Sequence, residues 1–266
     1  MKIALFTNSK PRHLSLIRQL ARDVGDVLAV VEASTVRMGQ IAEGYGASPG
    51  LAEYFDRVRD AEIRLFGRRR ALPAGVRVLP MRMGDLSHAE NAELEELLDA
   101  DRFVVFGSSW IRGWLVDELV ARGAINIHLG VAPFYRGSAS NFWALWDRRP
   151  DLVGATIHEL APGLDNGDTL FHVVPHPDTS DPFLFTMHAV RAAHDAVARH
   201  LREGIGSAKS CQAIPQDRSK EIRYTRSREF TTEIAVEFMR RAWHPEAARQ
   251  SCDRRVASDF VNLRIC

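Results

Sequence analysis

Short, unbroken apolar runs alternate along this chain with stretches in which apolar residues recur every three or four positions. Lys2 to Thr7 is a run of the first kind, Leu14, Leu16, Ile17, Leu20 and Ala21 follow at helical spacing, and Val27 to Ala33 is a second β-branched run. Continuous apolar runs suit strands buried on both faces, and strand–helix–strand order is the grammar of a parallel sheet. The pattern predicts helices over Leu51–Phe66, Glu90–Leu98 and Trp114–Arg122, and strands over Val76–Leu79, Arg102–Phe106 and Ala124–His128. After His128 the texture changes to a turn-rich loop with Gly130, Pro133, Arg136, Gly137 and Ser138. A short helix over Asn141–Trp146 follows, then strands over Ala155–Leu160 and Thr169–Val174 joined by the Pro162–Gly167 turn. A long helix over Phe185–Leu201 ends near Gly204 and Gly206, where glycines loosen the chain. An extended Ile222–Thr225 and a helical Glu229–Trp243 complete the reading.

The expected fold is α/β and Rossmann-like: a mostly parallel twisted sheet with helices on both faces and a small C-terminal extension. The expected organisation is a catalytic domain over residues 1–205 and a short, partly helical extension over 206–266. A length of 266 residues allows one large domain with a modest appendage. Net charge is +1, which provides no global field to attract nucleic acid or a membrane surface. No apolar run approaches the roughly 20 residues of a membrane span, and Met1 to Phe6 is too short for a signal peptide. The expectation is a soluble, cytoplasmic protein. Cys211, Cys252 and Cys266 form no C-x-x-C pair and read as reduced, incidental thiols, with no metal site implied. Arg68-Arg69-Arg70 reads as a solvated helix end.

Three polar residues change the picture. Side chains alternate along a strand, so Asn126 and His128 share a face. Asp165, in the turn Gly163-Leu164-Asp165-Asn166-Gly167, can complete an amide–imidazole–carboxylate set. Such a set can stabilise an oxyanion, move a proton and hold a charged imidazole, which points to acyl transfer. Taken singly, an N-x-H step is a common accident and an Asp in a Gly-flanked turn is more often a turn residue. Strand ends facing a crevice are where open α/β sheets place ligands.

Asn126-Ile127-His128 followed by Pro133-Phe134-Tyr135-Arg136-Gly137 resembles the signature of the folate-dependent formyltransferases. Gly154-Ala155-Thr156-Ile157-His158 resembles that family's G-x-T-x-H strand, and Gly163 to Asp168 its G-x-D-x-G loop. Order and gaps fit across roughly residues 1–205, most sharply over 102–176. The resemblance implies that Asn126, His128 and Asp165 are catalytic and that 10-formyltetrahydrofolate is the formyl donor. It implies that the pterin lies against Phe106, Gly107, Ser108, Ser109, Trp110 and Ile111, with Gly107 permitting close approach and the Leu160–Asp165 loop, including Gly163, on the other side. Trp110 and Ile111 could instead be plain packing. His158 is read as packing.

Departures from the family shape the acceptor. Where the family often has Ser two residues after the histidine, this chain has Gly130. Where glycinamide ribonucleotide enzymes carry a Gly-rich phosphate loop, this chain has Thr7-Asn8-Ser9-Lys10-Pro11-Arg12-His13. Lys10 and Arg12 at a helix N-terminus could still hold an anion, or the segment could be only a capped helix start. The expected acceptor is a small primary amine, an amino sugar or sugar nucleotide by wording, entering near Tyr135, Arg136 and Asn141; Arg136 could instead pin its own loop. The alternatives are a methionyl-tRNA formyltransferase, a formyltetrahydrofolate hydrolase or a non-catalytic folate-binding module. The tail is shorter than the β-barrel of the tRNA enzymes and not strongly basic, which argues against nucleic acid. With the first strand expected from Lys2, no N-terminal regulatory domain is expected, which argues against the hydrolase. His188, His194 and His200, six residues apart on one helix, point to different sides and make no ligand stripe. Phe230, Ile234, Phe238 and Met239 fall at helical spacing and could pair two copies of the chain or pack on the main domain.

Overall fold

The computed structural model describes residues 1–33, 48–177, 180–204 and 212–266. The expected boundary at 205/206, Gly206 and Cys211 lie outside the described residues. Strands β1 (Lys2–Asn8), β2 (Asp26–Ala33), β3 (Arg77–Arg82), β4 (Arg102–Phe106) and β5 (Ile125–His128) pair in parallel in the order β3-β2-β1-β4-β5. The chain then leaves the sheet for β6 (Tyr135–Gly137) and returns as β7 (Ala155–Glu159), antiparallel to β5, and β8 (Thr169–Val174), antiparallel to β7. β9 (Arg223–Thr225) pairs with β6 in a small second sheet, and β10 (Arg264–Ile265) joins the far edge of the main one beside β8.

Alternation along the buried strands divides the core in two. Ile3, Leu5, Val27, Ala29 and Val104 face one side; Ala4, Phe6, Leu28, Val30, Phe103 and Val105 face the other. Helices α1 (Pro11–Asp23) and α2 (Pro49–Phe66) put their apolar stripes on the first side, while α3 (Asn91–Leu98) and α4 (Trp114–Ala121) cover the second. The short α5 (Ser140–Trp146) and the long α6 (Pro182–Glu203) return to the first side. Each fully buried aliphatic side chain stabilises the fold by about 1.5–3 kcal/mol, so the strand runs and the helix stripes packed on them both contribute to the core. Local chemistry sets the helix starts: Asp181 accepts from Leu184 N at 2.7 Å and Pro182 occupies the first turn of α6. Of the three histidines spaced along α6, His194 is buried against Phe66 and Phe106.

The tail is built into this core. Phe230 and Phe238 of the α7 region (Thr232–Arg240) pack on Tyr54, Phe142 and Phe183, with the Tyr54–Phe230 ring centroids 4.9 Å apart. Ile234 and Met239 also pack on the core, so the stripe that could have paired two copies is occupied within the chain. The sequence pattern did not single out α8 (Pro245–Asp253), which seats Ala248 and Cys252 against residues 150–152.

Candidate active site

β5 and β7 pair so that Asn126 lies opposite His158 and His128 opposite Thr156. Cross-strand partners point to the same face, which brings His158 into the site rather than leaving it as packing. Its Nδ1 donates to the Glu159 carbonyl at 2.7 Å. In the neutral ring Nε2 is then an acceptor, and the Asn126 side-chain amide lies 3.0 Å from it. The second amide hydrogen of Asn126 has no partner among the described residues.

Asp165 arrives from the loop after β7 with φ +47°, a left-handed conformation that costs a non-glycine residue roughly 1 kcal/mol. Its Oδ1 lies 3.1 Å from His128 Nδ1 and 3.9 Å from His158 Nε2. Gly137 N donates to its Oδ2 at 3.2 Å. On its other side, His128 Nε2 lies 3.2 Å from the Tyr135 carbonyl. Both ring nitrogens of His128 therefore face acceptors, an arrangement that favours the imidazolium. Burial opposes the charged ring, but the charge and hydrogen bond of Asp165 and the Tyr135 carbonyl outweigh it, against a smaller opposing effect of Arg136; the His128 pKa is raised above its ordinary value. Burial would by itself raise the Asp165 carboxyl; the charge and hydrogen bond of His128 reverse this and hold it well below the usual carboxylate range.

The trio opens on a cavity of about 730 Å³. Its wall includes the whole 106–111 segment, Leu160 and Gly163, and also Lys10, Arg12 and Asn141. Donor-side and acceptor-side expectations thus meet in one space. Two expected acceptor contacts do not line it. Tyr135 is buried and its hydroxyl reaches Asp147 at 3.2 Å. Arg136 is buried beneath the Asp165 loop: Nε and Nη2 donate to the carbonyls of Asp165 and Leu164 at 3.2 and 3.0 Å, and Nη1 pairs with Glu221 at 2.8 Å. It pins its loop, because β6 carries it under that turn. Asn141 lines the cavity with its amide committed to the backbone of Gly154, at 2.9 Å in both directions.

Lys10 and Arg12 differ in availability. Arg12 pairs with the buried Glu62 at 3.6 Å, and Glu62 also accepts from Arg12 N at 3.0 Å. Lys10 has no hydrogen-bond acceptor among the described residues, and burial, then the charge of Arg12, lower its amine to about 8.

Two supporting residues, Glu32 and His13, carry no recognisable sequence motif. Glu32, fully buried, accepts from Ser109 Oγ at 2.6 Å, from Ser109 N and from Gly84 N, and so fixes the 106–111 wall. His13 stacks on Phe106 with ring centroids 4.6 Å apart and shares Thr7 Oγ1 at 2.9 Å. Gly107 has φ +65°, and a Cβ there would lie 2.3 Å from His13 Cε1. The glycine is needed for the histidine ring behind the wall. At Gly130 a Cβ would lie 2.4 Å from Ser140 Cβ and 2.7 Å from His128 Nε2, so the space that a serine would fill here is taken by Ser140.

No protein-family model matches the chain. Among solved structures, the fold is similar to that of a 4-N formyltransferase from Francisella tularensis, with a TM-score of 0.53 and 17% identity over 90% of this chain and 87% of that one. A sugar N-formyltransferase from Shewanella sp FDAARGOS_354 gives 0.52 and 17% over 86% and 78%. A phosphoribosylglycinamide formyltransferase from Anaplasma phagocytophilum gives 0.52 and 14% over 85% and 98%. The Rossmann-like α/β fold is shared with these formyltransferase structures.

Proposed function

We propose that this chain is a folate-dependent N-formyltransferase that transfers a formyl group from 10-formyltetrahydrofolate to the primary amine of a small, anionic acceptor, an amino sugar or sugar nucleotide by chemistry. The observation that carries the reading is the 3.1 Å His128–Asp165 pair facing, with Asn126, a cavity that also holds the 106–111 wall. A volume of about 730 Å³ suits a fused ring together with a nucleophile. The wall segment that the family resemblance assigns to the pterin is held from behind by Glu32 and His13. The bound donor supplies an activated formyl carbon.

The chain's own residues do the rest. Negative charge developing on a carbonyl oxygen is met by the imidazolium of His128 and the free amide hydrogen of Asn126; preorganised donors of this kind contribute about two to three powers of ten in rate. The 3.2 Å contact of His128 Nε2 to the Tyr135 carbonyl is long enough for a substrate oxygen to compete for that proton. Asp165 stabilises the charged ring and fixes its orientation. Lys10, whose ammonium meets no hydrogen-bond acceptor among the described residues, stands in the cavity wall and favours an acceptor carrying phosphate or carboxylate.

The test is incubation with formyl-labelled 10-formyltetrahydrofolate and a panel of amino sugars, nucleotide-linked amino sugars and amino acids, followed by mass spectrometry. An N-formyl product is expected. Free formate alone would make the chain a hydrolase, and no turnover of the donor with any amine would reject formyl transfer.

A further inference from the structure

We infer that the segment after the 205–211 region acts as a strap that positions Asp165, with Gln216 as the positioning residue and Glu221 as its support. Gln216 Nε2 donates to two carbonyls of the Asp165 loop, that of Asp165 at 3.1 Å and that of Gly167 at 2.8 Å. Arg136 meets the same Asp165 carbonyl, and its far end is held by Glu221 at 2.8 Å. The segment is anchored on both sides of these contacts. Ile214 and Thr169 exchange backbone hydrogen bonds at 2.8 and 2.9 Å, and Ile222 N and Arg223 N both reach the Phe134 carbonyl, at 2.9 and 3.0 Å. The strap thus ties β6, which carries Arg136 and Gly137, to the start of β8, which follows the loop.

The need for it lies in the backbone. Asp165 is held in the left-handed region, a state that persists only where the surroundings over-determine it. Among the described residues it is held from outside its own turn: Gly137 N donates to its carboxylate, and Arg136 and Gln216 donate to its carbonyl. Releasing Gln216 removes that donor from the Gly167 carbonyl and leaves the Asp165 carbonyl to Arg136 alone, which lets the loop relax and carries the carboxylate away from His128 Nδ1. None of the strap residues lines the cavity, so the effect is on orientation and not on ligand contact.

The inference rests on the proposed reaction only for its kinetic arm. The full chain carrying Gln216→Met, which keeps length and loses the donor, is compared with wild type and with Glu221→Ala. The His128 imidazole is titrated by NMR; Asp165, Arg136, His158 and His172 are the titratable and charged groups around it. A downward move of the His128 midpoint by at least about half a pH unit is expected in Gln216→Met, with a smaller move in Glu221→Ala. The same variants should lose about threefold to tenfold in kcat with KM for donor and acceptor within about twofold. A lower Tm with an unmoved His128 midpoint and unchanged kcat would make Gln216 a merely structural residue and overturn the inference. If wild type forms no N-formyl product with any amine, the proposed reaction fails, and the titration alone decides the strap.

Discussion

His158 holds the side-chain amide of Asn126 at 3.0 Å while its other ring nitrogen is spent on the Glu159 carbonyl. The pairing fixes which way the amide of Asn126 faces. His158→Phe should therefore lower kcat by about tenfold, with KM nearly unchanged, and His158→Gln should recover part of the loss. Steady-state kinetics on the three proteins check this; equal rates would return His158 to plain packing.

Removing either half of the charged pair should be more severe. His128→Ala and Asp165→Ala should each reduce kcat by about two to three powers of ten or more, and the double variant should be little worse than either alone, because the two groups act as a unit. Donor affinity, read by thermal shift with a folate, should survive in both.

The pair also links stability to pH. The raised His128 value means that its contribution is fully present below the ordinary value of 6.5 and is lost as pH rises through the higher folded value. The lowered Asp165 value means that its contribution is present above 3.8 and is lost as pH falls below that. The Tm difference between wild type and Asp165→Asn should be widest near pH 5–6 and should shrink above neutral pH. A difference that grows with pH would contradict the assignment of charges.

Lys10 offers a separate handle on the acceptor. Lys10→Met should raise KM for a phosphorylated acceptor by about tenfold to a hundredfold and leave KM for the folate unchanged. In wild type the acceptor KM should rise as pH passes about 8, where the amine loses its proton. An acceptor KM indifferent to Lys10 would point to an uncharged amine.

Gly130→Ser should damage the site, although the resembling family often has serine there. The new Cβ would meet Ser140 Cβ and the His128 ring. An activity loss of at least about tenfold is expected, with partial recovery when Ser140→Gly is added, since the two residues compete for one space. Full activity in Gly130→Ser would show that the α5 start shifts freely.

Much of the sheet was legible because its strands are buried on both faces, and burial writes itself as unbroken apolar runs; Arg102–Phe106 and Thr169–Val174 match the expected strands residue for residue. Asn126 and His128 were legible from strand alternation alone. The third side chain on that face, His158, was not, because pairing it with Asn126 needs the antiparallel register of β5 and β7, which leaves no mark in either strand taken singly. Their place in the motif assigned Tyr135 to the acceptor and left Arg136 open between the acceptor and its own loop; β6 turns Arg136 beneath the Asp165 loop and Tyr135 toward Asp147. The extended Ile222–Thr225 expectation meets β9, but the three-residue β6 and the two-residue β10 are too short for any periodicity, and Glu32 and Gln216 act through hydrogen bonds to groups far away in the sequence.

Gln216 lies 51 positions beyond the carbonyl it fastens. A chain cut short before residue 216 would lose with that amide the rings of Phe230 and Phe238, which close the core over Tyr54 and Phe142, so the alignment of Asp165 and the completion of the core depend on the same late stretch of sequence.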